Sequence, residues 1–211
     1  MAGHDFAQFL VEEKVLKFGD FILKSGKRSP YFLNFGAVAS GRALFKLGQF
    51  FADKIVLEIG VKNFDVLLGP AYKGIPLAIA TATALYHKYE IDLPVLYNRK
   101  EAKTHGEGQD QKSSMFIGAQ LKGNERLLLI DDVLTTGGTK VEVIDAVKAQ
   151  FPAARFSGVV IAVDRKEKLD TGETLAEHFC KSSGMQLWAI ADIHSIALQL
   201  NLPLSHFSTT A

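Results

Sequence analysis

Short apolar runs alternate with stretches of helical period along most of the chain. Phe64–Leu68, Pro94–Tyr97, Arg126–Ile130, Ser157–Val163 and Gln186–Ile190 are mostly apolar at consecutive positions and bounded by Gly, Pro or charge. Such runs predict strands buried on both faces, the form a sheet takes when helices cover both its sides. Between them, residues 139–151 place Val143, Ile144, Val147 and Phe151 on one face and Glu142, Asp145 and Lys148 on the other, which predicts an amphipathic helix. Residues 41–59, 74–88 and 173–183 have helical length and composition with weaker periodicity. Near the start, Asp5 with Gln8 reads as a capping box for a helix over 6–17. Repeated strand-helix alternation predicts an α/β fold: a mainly parallel central sheet flanked by helices. Residues 18–36 stand outside that repeat. Their Lys-Ser-Gly-Lys-Arg-Ser-Pro between aromatic-rich runs predicts a hairpin, which with the last strand-helix segment would form a small cap or hood. No linker or repeat divides the chain, so one domain is expected over 1–211.

In open parallel sheets, ligands bind beyond the carboxyl ends of the strands. Gly69-Pro-Ala-Tyr-Lys-Gly74 follows the first run, Asn98-Arg-Lys-Glu-Ala-Lys-Thr-His-Gly106 the second, Asp131–Thr139 the third, and Asp164-Arg165 the fourth. Almost every unusual cluster in the chain falls at one of these places.

The third is the most informative. Two acids end a buried strand, and a Thr/Gly loop then opens a helix. Such a loop presents backbone N–H groups and hydroxyls at a helix N-terminus, which suits a phosphate monoester. Adjacent carboxylates accept hydrogen bonds and suit ligand hydroxyls or a metal ion. Together they describe a sugar phosphate, with the acids on the ribose and the loop on the 5′-phosphate. No Lys-Ser/Thr follows the glycines, so this is not a nucleotide P-loop, and Gly-x-Gly-x-x-Gly is absent. The segment after the second run gathers Arg99, Lys100, Lys103 and His105 before a Gly-Glu-Gly. Alone it reads as a solvated surface loop, since Glu101, Glu107 and Asp110 nearly balance it; functionally, it is a glycine-bearing cationic loop able to close over a pyrophosphate.

Composition narrows the function classes. Hydrophobic residues are 47% and charged residues 22%, ordinary for a globular core. Lys plus Arg is 24 against 23 Asp plus Glu, a net charge of +1, which gives no basic excess for nucleic acid. The single Cys180 has no partner for an internal disulfide, and no Cys/His spacing resembles a zinc site. The start lacks the basic and apolar regions of a signal peptide. Ile75–Tyr86 is too short and too rich in threonine to span a bilayer. A cytoplasmic protein without membrane or nucleic-acid partners is expected. His4, His87, His178, His194 and His206 sit in no catalytic spacing.

The stretch Leu127–Thr139 resembles the phosphoribosyl-pyrophosphate (PRPP) motif of the type I phosphoribosyltransferases. Phe21-Ile-Leu-Lys-Ser-Gly26, Ser29-Pro-Tyr-Phe-Leu-Asn34, Gly69–Pro76 and Asn98–Gly108 narrow the likeness to the orotate phosphoribosyltransferases, over about residues 9–200. The resemblance implies a type I phosphoribosyltransferase fold, a PRPP-binding core over about 60–170, and transfer of phosphoribose from PRPP to orotate with Mg²⁺ held through substrate oxygens. It also implies a homodimer whose active sites are shared through the 99–110 loop, and a cis peptide between Ala71 and Tyr72. Asp131 and Asp132 would hold the ribose. Val133, Leu134, Thr135, Thr136, Gly137, Gly138 and Thr139 would form the phosphate loop. Tyr72, Lys73, Arg99, Lys100, Lys103 and His105 would face the pyrophosphate, with Lys103, Arg99 and His105 joining the two acids in catalysis. Lys24 would touch both PRPP and orotate, and Phe32, Leu33, Thr135 and Arg165 would complete the base site. Taken alone, Phe32 and Leu33 are core residues, and Lys24 and Arg165 are surface charges. Thr104 stands where many members carry an acid, Leu33 where some have a second aromatic, and residues 109–118 depart from a glycine-rich continuation. The alternatives are a phosphoribosyltransferase for another base, which should lack the Arg-Lys-Glu-Ala-Lys block, and a non-enzymatic PRPP sensor, which would lose the loop cations.

Overall fold

In the computed structural model, residues 2–23, 26–100, 115–134 and 138–207 are described. Helix α1 (Ala2–Glu12) leads into a hairpin of β1 (Leu16–Ile22) and β2 (Arg28–Leu33). Next come α2 (Gly41–Lys54, continued by a wider turn over Ile55–Ile59), β3 (Val66–Gly69), α3 (Gly74–Tyr89), β4 (Val95–Asn98) and β5 (Phe116–Gly118). The second half runs β6 (Arg126–Val133), α4 (Gly138–Gln150), β7 (Arg155–Asp164), α5 (Leu175–Ser183), β8 (Leu187–Asp192) and α6 (Ile193–Gln199).

The central sheet has the order β5-β4-β3-β6-β7-β8, parallel except for β5, which pairs antiparallel with β4. Each apolar run serves two cores because neighbouring side chains point to opposite faces. Leu67, Leu128, Ile130, Val160 and Ala162 enter the larger core with Phe9 of α1, Phe51 of α2, Leu85 of α3 and Ile196 of α6. Leu68, Leu127, Leu129, Val159 and Ile161 enter the smaller core with Val143, Ile144 and Val147 of α4 and Phe179 of α5. The predicted strands and the α4 stripe are therefore borne out.

Three expectations need correction. The first helix does not span 6–17: it starts at Ala2, so Asp5 lies inside it rather than capping it. It ends where Lys14 adopts a left-handed φ of 56°, with Lys14 N–H bonded to Val11 O and Val15 N–H to Leu10 O. This is a Schellman stop built without the usual glycine, so no residue type announced it. Second, β8 is not part of a cap; it is the edge strand of the main sheet. The hairpin, a separate two-stranded sheet, instead meets the short turn Leu204–Phe207, whose buried Phe207 ring lies 5.5 Å from Phe18 and 5.3 Å from Tyr31. Third, the sheet includes β5, too short and too far beyond the loop to read as a strand. α5 is introduced by a full capping box between Thr174 and Glu177.

The strand order sets the place of chemistry. From β3 the chain steps outward to β4 and β5, then returns to β6 beside β3 and continues the other way. The carboxyl ends of β3 and β6 therefore flank a topological switch point, where open α/β sheets leave a crevice. The turn after β3 is packed to its limit: a Cβ at Gly74 would lie 2.5 Å from Cδ of Pro70 and 2.9 Å from the Ile130 carbonyl oxygen. Gly74→Ala is expected to destabilise the fold by about 1–3 kcal/mol through overpacking. Thermal unfolding checks this; an unchanged Tm would mean that the turn relaxes freely.

Candidate active site

The switch-point crevice is framed by two carboxylates at the end of β6. Asp131 still sits in register with Ile161 of β7, so the strand's own pairing holds it and its neighbour in place. Asp131 Oδ1 accepts the Asp132 backbone N–H at 2.9 Å, and Asp132 Oδ1 accepts that of Val133 at 2.9 Å. Each second oxygen accepts an ammonium: Lys140 from the first turn of α4 on Asp131, and Lys73 on Asp132 at 2.7 Å. Both acids are buried, yet their partners differ. The Lys140 side chain is 5% exposed and that of Lys73 58%. Burial raises the Asp131 carboxyl above the ordinary aspartate range; the Asp132 charge adds to the rise, and Lys140 opposes it.

Across the crevice, the turn after β3 is tied to the end of β4. Ala71 N–H donates to Asn98 Oδ1 at 2.9 Å, and Asn98 Nδ2 donates to the Arg99 carbonyl at 3.1 Å. The Ala71–Tyr72 peptide is cis, as the family likeness implies. Tyr72 is exposed, and the Lys100 ammonium lies 4.6 Å from its ring centroid. Arg99 N–H donates to the Met115 carbonyl at 2.7 Å, and its buried Nε has no hydrogen-bond partner among the described residues.

Arg165 follows β7. Its guanidinium lies 5.5 Å from the Tyr31 ring centroid, with Nε 3.5 Å from the Tyr31 hydroxyl and Nη1 3.8 Å from Glu167. Its Nη2 is buried and has no hydrogen-bond partner among the described residues. The Asp164–Glu167 run is thus not the solvated charge cluster its composition suggests. Burial is the largest influence on the Tyr31 hydroxyl and pushes its pKa up. Phe32 is exposed and faces Phe21 at 5.5 Å, whereas Leu33 is buried in the larger core.

Asp131, Asp132, Val133, Lys73 and the start of α4 at Gly138 thus gather at one crevice, and Leu134 packs into the smaller core. Lys24, Lys103, His105, Thr135, Thr136, Gly137 and the Thr139 side chain lie outside the described residues. Anchored carboxylates, an exposed ammonium, a helix N-terminus and a guanidinium nitrogen without a partner together suit a polyol that carries anionic groups. Among the described residues, no group of three or more His, Cys, Asp or Glu could hold a metal ion. No helix among them is long and apolar enough to cross a membrane.

Residues 35–185 match the phosphoribosyl transferase domain family. The chain is 45% identical over 193 residues to the orotate phosphoribosyltransferase of Actinobacillus pleuropneumoniae, covering 92% of this chain and 85% of that protein. The chain belongs to the orotate phosphoribosyltransferase family. A second family member, from Pseudomonas aeruginosa, is 45% identical over 192 residues, covering 91% of this chain and 85% of that protein. The crystal structure of the Francisella tularensis orotate phosphoribosyltransferase superposes with a TM-score of 0.78 at 34% identity, covering 96% of this chain and 94% of that one.

Sequence reasoning passed over three residues that build this family's crevice here. Asn98 and Tyr31 entered the sequence reading only as members of motifs, with no role of their own, and Lys140 not at all. Lys140 did leave a signal: a lysine in a helix's first turn opposes the macrodipole and needs a compensating partner.

Proposed function

We propose that the protein transfers the 5-phosphoribosyl group from PRPP to orotate, forming orotidine 5′-monophosphate and pyrophosphate. The observation that carries this reading is the Asp131–Asp132 pair at the switch point, with α4 beginning beside it and Lys73 reaching across from β3. In this reading Asp131 and Asp132 accept the ribose hydroxyls. Thr135, Thr136, Gly137, Gly138 and Thr139, led in by Val133 and Leu134, bind the 5′-phosphate at the N-terminus of α4. Lys73, Arg99, Lys100, Lys103 and His105 neutralise the pyrophosphate, with the Tyr72 turn against it. Lys24, Phe32, Leu33, Thr135 and Arg165 hold orotate, and the unpartnered Nη2 of Arg165 supports a role towards an anion.

The C1′–oxygen bond to pyrophosphate breaks with its electron pair leaving on the pyrophosphate, and the orotate ring nitrogen, giving up its proton to solvent or to the departing pyrophosphate, supplies the pair that closes the new bond at C1′. The ribose becomes oxocarbenium-like between the two, so these residues act mainly by positioning and by electrostatics. Membership of the family implies dependence on Mg²⁺. The donor set suits an ion that keeps its waters and binds chiefly to substrate oxygens, because Asp131 and Asp132 already accept lysine and backbone donors. When bound, Mg²⁺ supplies charge neutralisation on the pyrophosphate.

A homodimer with the 99–110 loop crossing to the second copy completes the reading. Tyr72, Ile79 and Tyr86 leave exposed apolar surface along one side of α3, which supports a partner there. The deciding assay follows orotate absorbance with PRPP and Mg²⁺, with uracil and hypoxanthine in parallel. Loss of orotate that needs both PRPP and Mg²⁺ is expected. Turnover of another base instead, or PRPP binding without any turnover, would overturn the assignment.

A further inference from the structure

Two carboxylates side by side in a buried crevice repel one another, and each needs a counter-charge to stay ionised and still. Asp132 is matched by Lys73, an exposed side chain free to turn towards an incoming pyrophosphate. Asp131 is matched by Lys140, which has no such freedom. Lys140 is buried at 4% exposure, and its Nζ donates both to Asp131 Oδ2 and, at 2.8 Å, to the carbonyl of Val133. Its place in the first turn of α4 is electrostatically adverse, so the carboxylate is its compensation. With Asp131 Oδ1 held by the Asp132 backbone N–H, both oxygens of Asp131 are fixed before any substrate arrives.

We propose that Lys140 is a positioning residue that holds the Asp131 carboxylate in its ribose-binding orientation throughout turnover, while Lys73 is released from Asp132 to the substrate. This rests on the assignment of Asp131 to the ribose. The two acids are consequently unequal: Asp131 is a preset acceptor with a permanent counter-ion, and Asp132 becomes fully available only when PRPP draws Lys73 away.

The test is a double-mutant cycle on the intact protein with Lys140→Met, Asp131→Asn and the combination, read as kcat/KM for PRPP and as PRPP affinity in the presence of Mg²⁺. If Lys140 acts through Asp131, Lys140→Met lowers kcat/KM by about 10- to 100-fold, as expected when a support of an active-site ligand is lost. In the Asp131→Asn background, the same change then costs less than about twofold. The double variant leaves no unpaired buried charge and is expected to fold even where Lys140→Met does not. Asp131→Asn leaves the Lys140 ammonium on the Val133 carbonyl, so its Tm is measured beside that of the double variant and the two are compared per folded protein. A further loss of about tenfold or more in that comparison would assign Lys140 a role independent of Asp131 and overturn the proposal. Full activity of Asp131→Asn itself would remove the ribose assignment and the proposal with it.

Discussion

Lys103→Ala lowers kcat by about 10²-fold or more while PRPP affinity stays within about threefold of the parent. The reason is one of timing. Negative charge accumulates on pyrophosphate as the C1′–oxygen bond lengthens, so a cation placed there as proposed would contribute most after the ground state has been left. Steady-state kinetics together with direct PRPP binding separates the cases. An unchanged kcat with a raised KM would make Lys103 a ground-state ligand. Because the loop is proposed to serve the neighbouring copy, mixing Lys103→Ala with an Asp131→Asn/Asp132→Asn protein restores activity: each heterodimer contains one site with an intact loop and intact carboxylates. Absence of recovery after demonstrated subunit exchange would confine each loop to its own chain.

The second large effect is expected at Arg165. Arg165→Met raises the KM for orotate by about 10- to 100-fold, the range for removing a charge-assisted hydrogen bond, with little change for PRPP. Two observations support this expectation. The guanidinium is fixed over the Tyr31 ring, and one of its buried nitrogens has no protein acceptor. The substitution also removes the guanidinium that lies 3.8 Å from the buried Glu167 carboxylate, so Tm is expected to fall as well. Arg165→Met/Glu167→Gln removes the facing carboxylate charge as well, and the orotate defect is expected to persist whatever happens to Tm. Recovery of orotate KM in the double variant would mean that Arg165 serves the fold alone.

How far the sequence could be read depended on how local each signal was. The central strands β3, β6 and β7 were legible because both their faces are buried, which leaves unbroken apolar runs such as Leu127–Ile130. The acids near the end of β6 were legible because they break an apolar run abruptly, although the strand itself continues through them to Val133. By contrast, the end of α1 depends on Lys14 taking a left-handed conformation that tertiary packing of Val15 and Leu10 enforces. β5 exists only because β4 offers it an edge. The pairing of Lys140 with Asp131 and of Lys73 with Asp132 joins residues nine and 59 apart, across a helix start and a sheet crevice. Neither spacing has a periodic signature.

The hydrogen bond from Arg99 to Met115 and the pairing of Asn98 with Phe116 bring the two ends of the intervening segment to one point on the sheet. Loop-closure entropy changes by only about 0.6 kcal/mol when such a segment doubles in length. Insertions, deletions and rewritten sequence between those anchors can therefore accumulate at small thermodynamic penalty to the scaffold. The segment proposed to carry cations to the leaving group is therefore one whose length the scaffold itself constrains little.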